Sequence, residues 1–366
     1  MSHGRELYEV LKKLIEIPGP SGREESVRDV VAELISPYVD KLWVDTWGNL
    51  IGLKKGSESS NKLMIAAHMD EIGLFVSHIE DDGFIRVLPI GGIIERSILY
   101  QRVALKTREG KIIKGVVGLK PPHVAKPEEL QKVPEMRELF VDIGASSREE
   151  VEKIGVRIGD IMVFDRDLAE LLNNRVTGKA FDDRVGVVAL IKAAQLIENP
   201  RVDVYLVATV QEEVGLKGAR TSAFAISPDA ALAIDVTIAS DVPGVPKAEW
   251  YTRIGKGPAI KIADGRSAGG LIAHPGIVEF LISIAEKYKI PYQIEVAAGG
   301  TTDASIIALN KEGVPAGTVS IPSRYIHSPV EVVDLNDVYN AALLVKHFTE
   351  EATPSWLSKI KGRVLK

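Results

Sequence analysis

The stretch Val204-Tyr205-Leu206-Val207-Ala208-Thr209-Val210 is an almost unbroken apolar run, and two adjacent carboxylates, Glu212 and Glu213, follow it just before Gly215. A strand buried on both faces of a mostly parallel sheet has this texture, and ligands of such sheets bind beyond the carboxyl ends of the strands. Charge placed there stands where a site would be. Consecutive residues at a strand end point in different directions, so one carboxylate can be a fixed ligand while its neighbour faces a reacting water. A solvated Glu-Glu loop is the simpler account of this pair taken alone, because most charged residues are exposed. The other strand ends argue against it.

A second apolar run, Leu63 to Ala67, ends in His68-Met69-Asp70-Glu71, and a third, Ala230 to Ile234, ends at Asp235. Phe181-Asp182-Asp183-Arg184 opens an apolar helix with Val187, Leu190, Ile191 and Ala194 on one face. His327 lies just past a further strand, expected over Val314 to Ile321. Each of these residues has a plainer account. His68 can be a core histidine, and one of Asp182 and Asp183 can simply cap the helix that follows. Asp235 interrupts an apolar strand end, where an unpaired buried charge is costly, so it needs a partner. His-x-Asp is also the pattern in which a carboxylate orients a metal-binding imidazole. Carboxylates mixed with imidazole suit zinc, cobalt or manganese, and the set exceeds what one ion needs.

The rest of the chain reads as an α/β protein interrupted once. Leu7, Leu11, Leu14 and Ile15 recur at helical spacing, and the helix stops at Pro18-Gly19-Pro20. Ser21 with Glu24 predicts a capping box for a second helix carrying Val27, Val30, Val31 and Leu34. A hairpin turning at Trp47-Gly48-Asn49 and a polar loop from Lys55 to Asn61 follow. From Leu74 to Asp165 the texture changes to short alternating strands, with Arg108-Glu109-Gly110 as a hairpin turn and a short helix begun by Ser147 with Glu150. Residues 1–73 and 166–366 are therefore expected to form one discontinuous catalytic domain with a mostly parallel central sheet, and 74–165 a β-rich insert.

Composition narrows the function classes. At 366 residues the chain is long enough for two structural units. Its net charge of −5 and the absence of a basic stripe argue against nucleic acid as the main partner. With no cysteine, a transition-metal site must be built from His, Asp and Glu. The start, Met1-Ser2-His3-Gly4-Arg5-Glu6, lacks an apolar signal core, and no run reaches the roughly 18 apolar residues of a membrane span, so a cytoplasmic protein is expected. His3, His78, His123, His274 and His347 match no ligand pattern and are assigned to surface or structure. Gly215-Leu216-Lys217-Gly218 lacks the spacing of a phosphate loop.

Taken in order, His68-Met69-Asp70-Glu71-Ile72-Gly73, Ala180-Phe181-Asp182-Asp183-Arg184, Gln211-Glu212-Glu213-Val214-Gly215, Ile234-Asp235 and Arg324-Tyr325-Ile326-His327-Ser328 resemble the tetrahedral (TET) aminopeptidases, a family of dinuclear metallopeptidases. The resemblance covers essentially the whole chain. It implies a zinc-peptidase-like α/β/α catalytic domain with a PDZ-like or barrel-like insert used for dimerisation, and assembly of dimers into a dodecameric tetrahedron. It further implies that Asp182 bridges two divalent ions, zinc or cobalt, with His68 and Asp235 completing one site and Glu213 and His327 the other. Glu212 is implied as general base and Asp70 as the carboxylate behind His68. The glycine-rich stretch from Asp264 to Gly270 departs from the pattern and leaves the preferred side chain open.

The function expected is removal of N-terminal residues from small peptides. A glycosidase using Glu212 with another carboxylate is the first alternative, but it leaves His68, His327 and Asp235 without a task. A non-catalytic scaffold gripping extended peptides by strand addition is the second. Chelation separates the three.

Overall fold

The computed structural model describes residues 3–58 and 61–362. Met1 and Ser2, and positions 59 and 60 of the polar loop after Lys55, lie outside the described residues.

Among the described residues, seventeen strands run β1 Lys41–Val44, β2 Leu50–Lys54, β3 Lys62–His68, β4 Gly73–Ile79, β5 Ile85–Ile90, β6 Arg102–Lys106, β7 Ile112–Gly118, β8 Phe140–Asp142, β9 Ile161–Phe164, β10 Ala169–Glu170, β11 Arg175–Gly178, β12 Asp203–Thr209, β13 Ala230–Ile238, β14 Ala259–Ala263, β15 Gln293–Val296, β16 Ala316–Ser323 and β17 Glu331–Asp334. An eight-stranded sheet takes the order β1-β2-β12-β3-β13-β16-β14-β15. Its centre, β12-β3-β13-β16, is parallel throughout. Strands β3, β12 and β13 are the near-continuous Val, Leu, Ile and Ala runs, as burial on both faces requires. The hairpin β1-β2 lies at one edge, antiparallel to β12.

Helix His3–Ile15 buries Leu7, Leu11, Leu14 and Ile15, the face its periodicity predicts. Helix Phe181–Leu196 differs from expectation, being buried all round from Asp183 to Ala194. It sits between the sheet and the helices His3–Ile15 and Leu335–Glu351, and a helix enclosed this way needs apolar residues on every side. Its one guanidinium, Arg184, is satisfied by the carbonyls of Leu14 at 2.5 Å and Met69 at 2.6 Å and lies 3.4 Å from Glu71.

The capping box at Ser21 does not form. Ser21 Oγ donates to Asp70 Oδ2 at 2.6 Å, and Glu24 Oε1 accepts the N–H groups of Gly22 and Gln211 at 2.7 and 3.0 Å. The segment packs against the ends of β3 and β12, where buried groups compete with the end of helix Glu25–Ile35. Ser147 does cap its helix, accepting from the N–H of Glu150.

Strands β4 to β9 close into an antiparallel barrel in the order β4-β5-β8-β7-β6-β9. Leu74, Val76, Ile85, Val103, Leu105, Val141 and Met162 are among the residues of its separate core. The turn at Arg108-Glu109-Gly110 joins β6 to β7, with Gly110 at φ +83°, a left-handed conformation that favours glycine. A small antiparallel sheet, β10-β11-β17, packs beside the main one. Among the described residues, no helix is long and apolar enough to cross a membrane.

Candidate metal centre

The carboxyl ends of the central strands place the site. His68 is the last residue of β3, opposite Thr209 in β12, and Glu212 and Glu213 follow three and four residues after Thr209. Asp235 lies within β13, which continues to Ile238, beyond the strand end expected for it. Its pairing with β3 stops at Ala233, however, so Asp235 lies two residues beyond the last rung the two strands share and level with His68 at the end of β3. Asp182 and Asp183 occupy a non-helical step at the entrance of helix Phe181–Leu196. His327 sits in the loop after β16.

These residues converge. Asp182 stands between the two histidines, with Oδ1 3.1 Å from His68 Nε2 and Oδ2 3.2 Å from His327 Nε2. Glu213 Oε2 is 3.2 Å from His327 Nε2, and Asp235 Oδ1 is 3.8 Å from His68 Nε2. Glu212 Oε2 lies 3.9 Å from the same His68 nitrogen. Two groups of donor atoms, each within 4.8 Å, result: His68, Glu212 and Asp235, and Asp182, Glu213 and His327. All six residues line one cavity of about 760 Å³, which Lys261 also reaches from between Asp264 and Glu295.

A layer of buried groups fixes the donors. Asp70 accepts the N–H groups of Glu212 and Glu213 at 3.0 and 3.2 Å, and its Oδ1 is 3.4 Å from His68 Nδ1. Asp183 accepts the N–H of His68 at 3.2 Å and that of Gly186 at 3.1 Å, so it is the helix cap of the aspartate pair. Asp303 accepts from Thr209 Oγ1 at 2.6 Å. The loop between β5 and β6 reaches in from the barrel: a Cβ on Gly92 would stand 3.0 Å from His327 Nδ1, and one on Gly91 3.2 Å from the Glu213 Cβ. Ala180, Gln211, Tyr325 and His327 all have left-handed backbones, at φ between 55° and 62°. Such residues cost about 1–3 kcal/mol each and persist where their surroundings over-determine them.

Asp303, Glu24 and Glu331, the last accepting the N–H groups of Asp182 and His327, are contributors that sequence reasoning missed. Asp183 was one half of an undecided pair, whereas Glu331, opening an ordinary short strand, carries no signal in the sequence.

The electrostatics suit cations. Burial pushes Glu212 well above the usual carboxylate range, His68 opposing and Asp235 adding to the rise. Burial raises Asp235 in the same way. Burial works against a charged His68, but Glu212, Asp182, Asp70 and Asp235 outweigh it and hold the imidazole well above its ordinary value. Burial likewise opposes ionisation of Asp182, and hydrogen bonds to His327 and His68 overcome it, lowering the carboxyl. Glu213 Oε1 is buried without a hydrogen-bond partner. Clustered buried carboxylates with a free acceptor, beside two imidazoles, are a donor set that fits divalent ions such as zinc or cobalt.

Comparison with known proteins agrees with this chemistry. The M42 glutamyl aminopeptidase family model matches residues 48–344. The chain is 40% identical over 351 residues to a lysyl aminopeptidase of Pyrococcus furiosus, covering 95% of this chain and 98% of that protein. Among solved structures, aminopeptidase APDkam598 from the archaeon Desulfurococcus kamchatkensis shares 69% identity with a TM-score of 0.96, covering 99% of each chain. The Pyrococcus horikoshii TET1 peptidase, which can assemble into a tetrahedron or a large octahedral shell, shares 36% identity with a TM-score of 0.82, covering 94% of this chain and 100% of that one.

Proposed function

The chain belongs to the M42 glutamyl aminopeptidase family, alongside the TET aminopeptidases, and from that premise we propose that it is a metal-dependent aminopeptidase removing N-terminal residues from peptides. The observation that carries the metal reading is the Asp182 carboxylate, one oxygen toward His68 and the other toward His327. Asp182 would be shared by two ions, with His68 and Asp235 completing one set and Glu213 and His327 the other. Two divalent ions there, zinc or cobalt, supply polarisation of the scissile carbonyl and acidification of water.

The chain's own residues supply the rest. Glu212 projects into the same cavity and acts as general base: its carboxylate takes a proton from the attacking water and delivers it to the leaving amine. Asp70 holds the main chain under both glutamates and faces the far nitrogen of His68, which fixes the imidazole for its task.

The reading extends to organisation. Residues 1–73 and 166–366 form the catalytic domain, and residues 74–165 the barrel insert through which dimers form. The dimers assemble into a dodecameric tetrahedron in the cytoplasm. The test is hydrolysis of aminoacyl-anilides: chelation should abolish it, and Zn²⁺ or Co²⁺ should restore it. Turnover that survives exhaustive chelation would remove the metal from the mechanism.

A further inference from the structure

Glu331, the first residue of β17, is buried at 1% exposure. Its two carboxylate oxygens are spent on two main-chain N–H groups: Oε2 accepts from Asp182 at 2.9 Å, and Oε1 accepts from His327 at 3.0 Å. Those two residues come from different elements, the entrance of helix Phe181–Leu196 and the loop after β16, and their side chains meet at 3.2 Å. His327 also holds a left-handed backbone, at φ 59°, which a residue with a Cβ rarely adopts unsupported.

We propose that Glu331 is the positioning residue of the Asp182–Glu213–His327 group: its carboxylate clips the two chain segments together so that Asp182 and His327 present their donors to one ion. This rests on the reading of that group as a metal site. Asp70 offers the parallel on the other side of the centre, where one buried carboxylate takes the N–H groups of Glu212 and Glu213. Two N–H donors and no acceptor are complementary to a carboxylate. A carboxamide matches only one of them, because its NH₂ group would face an N–H. Glu331→Gln therefore opens the clip at one end while preserving volume.

The test is titration of chelator-stripped, full-length protein with Co²⁺, read by its visible absorption. Wild type should show two binding steps, and His327→Ala identifies the step that belongs to the His327 group. In Glu331→Gln that step should weaken by about 10–100-fold, the range typical for groups that orient metal ligands, and the other step should move much less. Adding Glu331→Gln to His327→Ala should cost little more. If Glu331→Gln gives no folded protein, Glu331→Asp carries the test, since its shorter side chain cannot span both N–H groups. Two steps that stay unchanged, or that weaken alike, overturn the role of Glu331 and leave the metal reading intact. A wild type that shows fewer than two steps overturns the metal reading and this proposal with it.

Discussion

Asp70 accepts the backbone N–H of Glu212 through Oδ1 at 3.0 Å. The bond fixes the main chain at Glu212 while leaving its side chain free to face the cavity, whereas the Glu213 side chain is engaged 3.2 Å from His327. Adjacent glutamates should then fail differently. Glu212→Gln keeps the proposed ligands and removes the base, so kcat should fall by about 10²- to 10⁴-fold with metal content unchanged. Glu213→Gln should lose metal and recover part of its activity in excess Zn²⁺ or Co²⁺. Metal content measured beside kcat decides the matter. The roles are exchanged if it is Glu212→Gln that loses metal.

Among the described residues, Asp182 is the one whose carboxylate reaches both His68 and His327. Asp182→Asn keeps its size and removes the charge offsetting two cations, so bound metal should fall towards zero per subunit. Elemental analysis after dialysis against a low free-metal buffer checks it. Retention of both ions by the variant would exclude the shared role.

Much of this centre was legible because the strands announce it. The apolar runs ending at His68 and Thr209 read as buried parallel strands, and β3 and β12 are neighbours in register at those very residues. Asp235 was legible as a site residue but not as a mid-strand one, because β13 continues to Ile238 along β16 after its pairing with β3 has ended, and that depends on other strands. Ser21 and Glu24 show the opposite failure. Locally they spell a helix cap, and only the fold brings Asp70 and Gln211 close enough to compete for them. Glu331 was out of reach for the same reason: its partners lie 149 and 4 residues away, and a two-ended clip has no local pattern.

The barrel has a core of its own, so a shortage of buried apolar area gives it no reason to seek a partner. Its surface gives one: Leu88, Tyr100 and Val116 remain exposed at 57%, 57% and 43%. If copies meet through the barrel, Leu88→Glu combined with Val116→Glu should reduce the assembled mass and leave far-UV circular dichroism unchanged. Sedimentation of both proteins at micromolar concentration measures this. A monomeric wild type would end the assembly reading.

The histidines make a prediction about protons. Burial opposes charge on His327, but hydrogen bonds to Asp182 and Glu213 outweigh it and the imidazole is pushed up to about 12; His68 is held well above its ordinary value by its own carboxylates. In protein stripped by a chelator, both rings should therefore carry their second proton at pH 7. An imidazole must lose that proton to ligate a metal. The free protein thus binds more protons than the loaded one, so metal binding releases protons and apparent affinity rises with pH across the neutral range. Filling both groups should release about two protons per subunit from the histidines alone, and more if Glu212 or Asp235, both raised by burial, also starts out protonated. Calorimetric titration of the stripped protein with Zn²⁺, in buffers of different ionisation enthalpy, counts the protons. His327→Ala should lower the count by about one if its ring is a proton-bearing ligand. Zinc binding that releases no protons at pH 7 would mean that neither histidine gives up a proton to the metal, and the ligand set would have to be redrawn around the carboxylates.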